Sequence, residues 1–446
     1  MHRTLVVILS LMLSTAVANA ELLKLSINDA VRRALDNNGQ IKAAAFAVDG
    51  AKQGVKSAGS RLLPVISFEE TLSVSNSPTN AFMMKLDEGR LTNSDFQTDN
   101  PNNPSASHDF KTVLSIRQPL YDPTLTPLKQ ISTLEARASG LLLEGTRQTI
   151  AFRTFQACLE LQKATARQGA VEKAVTDARE NMRLATVRGT NGVGLKSDEL
   201  RVRTHLSSVE QQLISAQNNV SLCRMQLAML AGLPDETTVE LTGAVDDTTI
   251  PLLTPEFLSE SMTNRVEVRQ SATEQEKSHT ALTLAQSDYL PTVGIFASYQ
   301  LNGKDVPLAA DNDSWSAGVT LKWTIFDGFR RDSERERAIY RQSASREMHD
   351  TVARDIRYQI KESYLRREEA GKLREVARNA VQDAEETVRL LSRRYENSLA
   401  TLTELLDAQT ALNQARAVQV DVEAGYTLAG GRILYTTGLF VKEMAK

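Results

Sequence analysis

Cysteine is nearly absent from this 446-residue chain: Cys158 and Cys223 are the only two, far apart in sequence. Neither belongs to a metal-ligand spacing, so two buried thiols are expected rather than a disulfide. The five histidines are scattered and no two stand at a ligand spacing, so no metal centre is expected. Charges nearly cancel, at a formal −3, which gives no reason to expect nucleic acid as a partner. There is no phosphate loop, nucleophile elbow, paired His or Cys–His spacing, so no enzyme is expected, and no catalytic or cofactor residue can be named. After residue 20 no run reaches 18 apolar residues, which excludes a spanning helix there. Any bilayer crossing would have to use a closed β-barrel.

Two further scarcities shape the chain. Proline is missing from Leu128 to Leu233 and again from Leu308 to Lys446, and helices run long only where proline is absent. Aromatics make up only 5 % of residues, which argues for long helices over a sheet-filled core.

What is present begins with a leader pattern. Arg3 gives a short basic start, Leu5 to Val17 is apolar apart from Ser and Thr, and Ala18-Asn19-Ala20 is a small-x-small cleavage site. Residues 1–20 therefore read as a signal peptide with Glu21 as the first mature residue; the alternative is an N-terminal membrane anchor. No Cys follows the cleavage site, so a lipid anchor has no attachment point.

The chain also repeats itself. Arg61-Leu62-Leu63-Pro64-Val65 resembles Asp288-Tyr289-Leu290-Pro291-Thr292, and Leu120-Tyr121-Asp122 resembles Ile325-Phe326-Asp327. Ser197-Asp198-Glu199-Leu200 falls opposite Leu402-Thr403-Glu404-Leu405, and Ala231-Gly232-Leu233 opposite Thr437-Gly438-Leu439. Two structural repeats are expected, residues 21–245 and 246–446, each reading helix, strand, loop, strand, long helix, turn, helix. Strands are expected at about 64–75 and 110–121 in the first and at about 291–301 and 315–326 in the second. Between the first pair, Ser75 to Lys111 has the Pro, Asn and Ser content of a surface loop.

The strand signal is strongest from Trp315 to Ile325. Trp315, Ala317, Val319, Leu321, Trp323 and Ile325 alternate with Ser316, Gly318, Thr320, Lys322 and Thr324. The two tryptophans are eight positions apart, roughly 26 Å along an extended strand. That separation suits the apolar band of an outer-membrane barrel, and Trp315, Trp323 and Tyr299 are the candidate membrane-interface aromatics. The other reading is a half-buried strand in a soluble sheet. Four strands cannot close a barrel, and an open edge in lipid leaves orphan backbone groups, so a barrel must be shared between chains; three copies would supply twelve strands.

Helical patterns cover about Thr126 to Val187 and Arg330 to Tyr395. In the second, Leu373, Ala377, Ala380, Ala384, Val388, Leu391 and Tyr395 recur at spacings of three and four, as in a coiled coil. Each long helix ends in a turn, Arg188–Gly194 and Asn397–Ala400, and a second helix follows. At about 100° per residue, Leu402, Leu405, Leu406, Gln409 and Leu412 share one face of that helix, and Glu404 and Asp407 point away from it.

The duplication, the two Leu-Pro strand starts and the segments Arg394-Tyr395-Glu396-Asn397 and Leu402 to Gln409 together resemble the TolC-like outer-membrane efflux protein family. The resemblance covers almost everything after the leader. It implies a mainly α fold with a small β part: antiparallel helix hairpins forming an α-barrel, and four strands per chain contributing to a twelve-stranded barrel. It also implies a homotrimer in outer-membrane lipid, a periplasmic adaptor and an inner-membrane transporter as partners, and export as the function. Type I protein secretion uses the same duct, and the rival from another class is a soluble periplasmic coiled-coil scaffold. On the family's pattern, Glu404 and Asp407 would ring the periplasmic aperture, and Tyr395 with Asp198 would hold the tip closed. The other readings are a solvated helix face for the two acids and a last core knob for Tyr395. The chain departs from the pattern at Ser398, where glycine is usual, and at Ala400, where the best-known member has a basic residue.

Overall fold

The computed structural model describes residues 22–97, 99–192, 194–234, 237–243, 251–309, 312–397 and 399–444; the expected leader and Ser398 lie outside them. The elements run β1 (Leu22–Leu25), α1 (Ile27–Asn37), α2 (Gly39–Ser60), β2 (Val65–Ser75), α3 (Pro78–Asp87), a 3-10 turn at Asn93–Phe96, α4 (Asp99–Asn102) and β3 (Ser107–Tyr121). Next come α5 (Leu125–Thr190), α6 (Lys196–Leu230), β4 (Thr238–Leu241), α7 (Pro255–Asn264) and α8 (Val266–Ser287). The chain finishes with β5 (Thr292–Gly303), β6 (Asn312–Lys322), α9 (Arg330–Glu396), α10 (Leu402–Thr436) and α11 (Phe440–Met444). Helices dominate, as the resemblance implied, and the larger sheet is antiparallel. α5 and α9 occupy the two proline-poor stretches and have 66 and 67 residues, about 100 Å of helix each. Pro127 falls in the first turn of α5, where its missing N–H breaks no helical bond.

The chain divides into two units. One takes residues up to Ala45, Leu142–Arg269 and Ala353 onward; the other takes Phe46–Leu141 and Gln270–Val352.

In the first unit β1 and β4 form a two-stranded parallel sheet, Leu22 opposite Thr238 and Leu25 opposite Leu241. Ala30, Val31 and Ala34 of α1 join Ile150, Phe155, Cys158 and Leu161 of α5, Leu227 of α6, Leu434 of α10 and Phe440 of α11 in the main core. An aromatic cluster fills part of this core: Phe152 stacks on Tyr435 at 4.6 Å, and Phe440 meets both Phe152 and Phe155 edge-on at 5.4 Å. Both cysteines are free, and burial pushes the Cys158 thiol up to about 12, so it stays an inert thiol. The second helix of each hairpin stops at a left-handed glycine, Gly232 with φ +65° and Gly438 with φ +78°. After α6, Leu233 N–H donates to the Ala228 carbonyl at 2.9 Å; after α10, Leu439 N–H donates to the Leu434 carbonyl at 2.8 Å. This geometry satisfies carbonyls that a helix end would otherwise leave orphaned.

The second unit holds a four-stranded antiparallel sheet in the order β2-β3-β5-β6. Its register puts Phe68, Leu114, Tyr299 and Trp315 in one row and Ile66, Ile116, Ala297 and Ala317 in the next. β2 and β6 are both edges, each with one side unpaired. α8 is tied to α5 by Arg137, which binds Glu276 at 3.2 Å, and to α9 by Gln342, which reaches the Nδ1 of His279 at 2.9 Å.

Two expectations are corrected here. The last strand ends at Lys322, so Trp323 lies beyond it and the two tryptophans do not mark the two ends of one strand. Lys322 is opposite Thr292, and the residue before Thr292 is Pro291, which has no N–H with which to extend the ladder. Trp323 instead donates its indole N–H to the Tyr289 carbonyl at 3.0 Å. The segment between the first two strands is also more ordered than its composition suggested. Pro78 opens α3, Ala81 is buried, Phe82 meets Phe96 edge-on at 5.8 Å, and β3 starts at Ser107. A few apolar side chains pinned an otherwise polar stretch.

Candidate functional site

The ends of the four long helices meet around a small apolar cluster. Ala185 and Met182 come from α5, Val202 from α6, Leu402 and Leu406 from α10, and Tyr395 from the end of α9. Asn181 donates to Gln409 at 2.8 Å, tying α5 to α10, and Arg201 donates to Thr403, tying α6 to α10. Tyr395 is half-buried against this cluster. The Arg188 guanidinium lies 4.8 Å from its ring centre and donates to its backbone carbonyl at 3.1 Å.

Arg188 was missed in the sequence reading. The available signal was a basic residue in the last turn of α5, where a cation complements the helix dipole. Asp198 stands in the first turn of α6, and among the described residues it is not bonded to Tyr395. The chain by itself therefore brings Tyr395 to Arg188 and leaves Asp198 apart.

Glu404 and Asp407 are exposed, while Leu402, Leu405, Leu406 and Leu412 are buried, so the face division read from helical periodicity is present. The Glu404 carboxylate has a local task as well. It accepts from Thr401 N–H at 2.7 Å and from the Thr401 hydroxyl at 2.9 Å, and Thr401 Oγ accepts from Glu404 N–H at 3.3 Å. This is a capping box, legible in sequence as Thr401-x-x-Glu404. Those bonds, the backbone one first, hold the Glu404 carboxyl below its usual range. The box is thus intact at neutral pH and is lost as pH falls below the ordinary carboxylate range, when the acceptor is protonated.

Removing the guanidinium with Arg188→Ala should loosen this end by about 1–2 kcal/mol, from one cation–π contact and one charge-assisted hydrogen bond. Hydrogen exchange is the readout: amides of 395–402 should exchange about 10-fold faster, with those around Phe155 unchanged.

The sheet has two unlike faces. One carries Ile66, Phe68, Leu114, Tyr299, Trp315 and Val319, with Trp315 76 %, Val319 69 % and Phe68 62 % exposed. Tyr299 and Trp315 are directly opposed across β5 and β6, and the Tyr299 hydroxyl donates to Asp313 at 2.9 Å. Of the three candidate interface aromatics, the structure brings these two together and places Trp323 outside the strand. The other face carries a row of serines, Ser67, Ser115, Ser298 and Ser316, bonded in pairs at 2.7 and 2.8 Å. Among the described residues no helix is long and apolar enough to cross a membrane, and no group of three or more His, Cys, Asp or Glu could hold a metal.

The sequence profile described as outer membrane efflux protein matches residues 30–233 and 257–434. The chain belongs to this family. Membership places it in the outer membrane, among efflux proteins. Nodulation protein T of Rhizobium leguminosarum bv. trifolii is 22 % identical over 250 residues, and the match spans about half of each protein, 54 % of this chain and 54 % of that one. The Campylobacter jejuni CmeC outer membrane channel has the same fold at a TM-score of 0.80 and 17 % identity, over 94 % of this chain and 89 % of that one. A membrane protein from Pseudomonas aeruginosa gives 0.79 at 15 % identity, over 92 % and 93 %.

Proposed function

We propose that three copies assemble into the outer-membrane exit duct of a tripartite export system, fed by an inner-membrane transporter through a periplasmic adaptor. The observation that carries this reading is the sheet: four strands, two open edges and one exposed apolar face. Unpaired edges are untenable in lipid, so the edge of β6 must find the β2 of another copy. Three sets of four strands give twelve, an even number within the range of outer-membrane barrels. Helix hairpins of this length would line the path below the barrel.

We also read the chain as two repeats, 21–245 and 246–446. In support, each hairpin has a long helix followed by a 35-residue one. Both end at a left-handed glycine that is capped from outside: Asn38 donates to the Leu230 carbonyl at 3.0 Å, and Arg265 donates to the Tyr435 carbonyl at 2.6 Å.

At the narrow end of the duct, Glu404 and Asp407 of three copies would ring the aperture, with Tyr395 and Asp198 pairing between neighbouring hairpins to hold it shut. A ring of carboxylates favours cations. The duct reading is tested on the outer-membrane fraction, which should yield a detergent-stable trimer; a folded monomer without pores would overturn it. The ring is tested in single channels, where Glu404→Gln with Asp407→Asn should lower the cation preference about 3-fold. Unchanged selectivity would remove the ring assignment and leave the duct standing.

A further inference from the structure

The sheet face opposite Trp315 is uneven in charge along its length. Its far half, toward the β5–β6 hairpin, carries Glu69, Lys111 and Asp109, and Asp109 accepts from Asn302 at 2.8 Å. The half that continues into the helices carries Arg117 and Lys322, both exposed, and among the described residues of the strands no carboxylate shares that part of the face. Arg117 stands in the row Val65, Arg117, Phe296 and Gly318, next to the all-serine row. Lys322 is on the same face, four residues along β6 from Gly318, about 13 Å in an extended strand.

Phe296 is the one aromatic ring among these polar rows, and its position has a structural cause. A Cβ at Gly318 would lie 2.8 Å from the ring, so the ring lies across the bare backbone of β6. Its 40 % exposure leaves it open to a passing solute.

We propose that Arg117, Lys322 and Phe296 form an anion-selecting belt inside the barrel, favouring solutes that carry a negative charge on an apolar or aromatic body. The inference rests on the trimeric-barrel reading above. In that assembly the face carrying Trp315 meets lipid, the serine face lines the lumen, and three copies contribute six cations and three rings at the end where β3 and β6 run on into α5 and α9. Fixed cations lining a low-dielectric pore raise the local concentration of anions, and the ring offers a stacking surface to the apolar part. The sign is opposite to that of the proposed acidic ring of Glu404 and Asp407, which is a separate set of residues.

The experiment uses the full chain reconstituted in planar bilayers. The chloride-to-potassium permeability ratio comes from reversal potentials in a KCl gradient, and 2-naphthalenesulfonate and neutral 2-naphthol serve as blockers. Arg117→Gln with Lys322→Gln should lower the permeability ratio about 3-fold and weaken naphthalenesulfonate block about 10-fold, leaving naphthol block unchanged. Phe296→Ser should weaken block by both compounds and leave the ratio alone, while Arg117→Lys should keep wild-type behaviour. Lys322→Gln alone, read the same way with a smaller shift, serves if the double variant does not insert. Pores of normal conductance with an unaltered ratio and block would overturn the belt and leave the duct reading intact. A wild-type chain that forms no pores would overturn the duct reading, and the belt with it.

Discussion

Val319→Arg is expected to abolish the detergent-stable trimer, and Ser316→Arg is expected to leave it intact. The two positions are three residues apart on β6 and point to opposite faces of the sheet. Val319 is 69 % exposed on the apolar face, well inside an 11-residue strand. In the proposed barrel that face would meet hydrocarbon, where an arginine near the midplane costs about 2–4 kcal/mol per chain. Every copy bears the substitution, so the penalty is repeated around the barrel. Ser316 lies in the serine row on the opposite face, which would line the lumen of that barrel and keep an added guanidinium hydrated. Comparing heated and unheated samples of the outer-membrane fraction by electrophoresis reads out both variants. Equal trimer yields for the two would show that the Trp315 side does not face lipid.

Phe155→Ala should destabilise the first unit by about 3–5 kcal/mol, the range for removing a buried aromatic ring. Phe155 is 1 % exposed and touches Phe152 and Phe440. Gly431 of α10 has no side chain because the Phe155 ring occupies the place a Cβ would take. The two positions are therefore coupled. Gly431→Ala alone should be destabilising, yet in the Phe155→Ala background the added methyl should recover about 1 kcal/mol by filling part of the cavity. Urea denaturation followed by circular dichroism would measure all three variants. Additive losses would mean that the ring and the glycine are not in the close packing described.

These interactions differ in how far they could be foreseen. The capping box at Thr401 and Glu404 was visible as a four-residue signature, yet Glu404 was read as an aperture acid or as part of a solvated helix face, not as a cap. A carboxylate can face solvent and still satisfy its own helix start, and composition does not reveal that second use. Arg188 carried a weaker signal. Many arginines lie near helix ends, and only the approach of α5 to α9 selects the one that covers Tyr395. Trp323 was drawn into the strand because alternation continued through it, although the partner strand had run out at Pro291.

The sequence by itself determined where long helices could run, through proline-free stretches, and the existence of the four strands of the larger sheet, through alternation. It also determined which face of β6 is apolar. These properties depend on neighbours a few residues away, which the chain carries wherever it goes. The tertiary structure decided where the ladder stops, which arginine covers Tyr395, and that Ser67, Ser115, Ser298 and Ser316 fall in one row beside Arg117 and Phe296. Each of these depends on the register between segments distant in sequence. A shift of one residue in that register would turn every side chain of a strand to the other face, so only the paired structure could settle it.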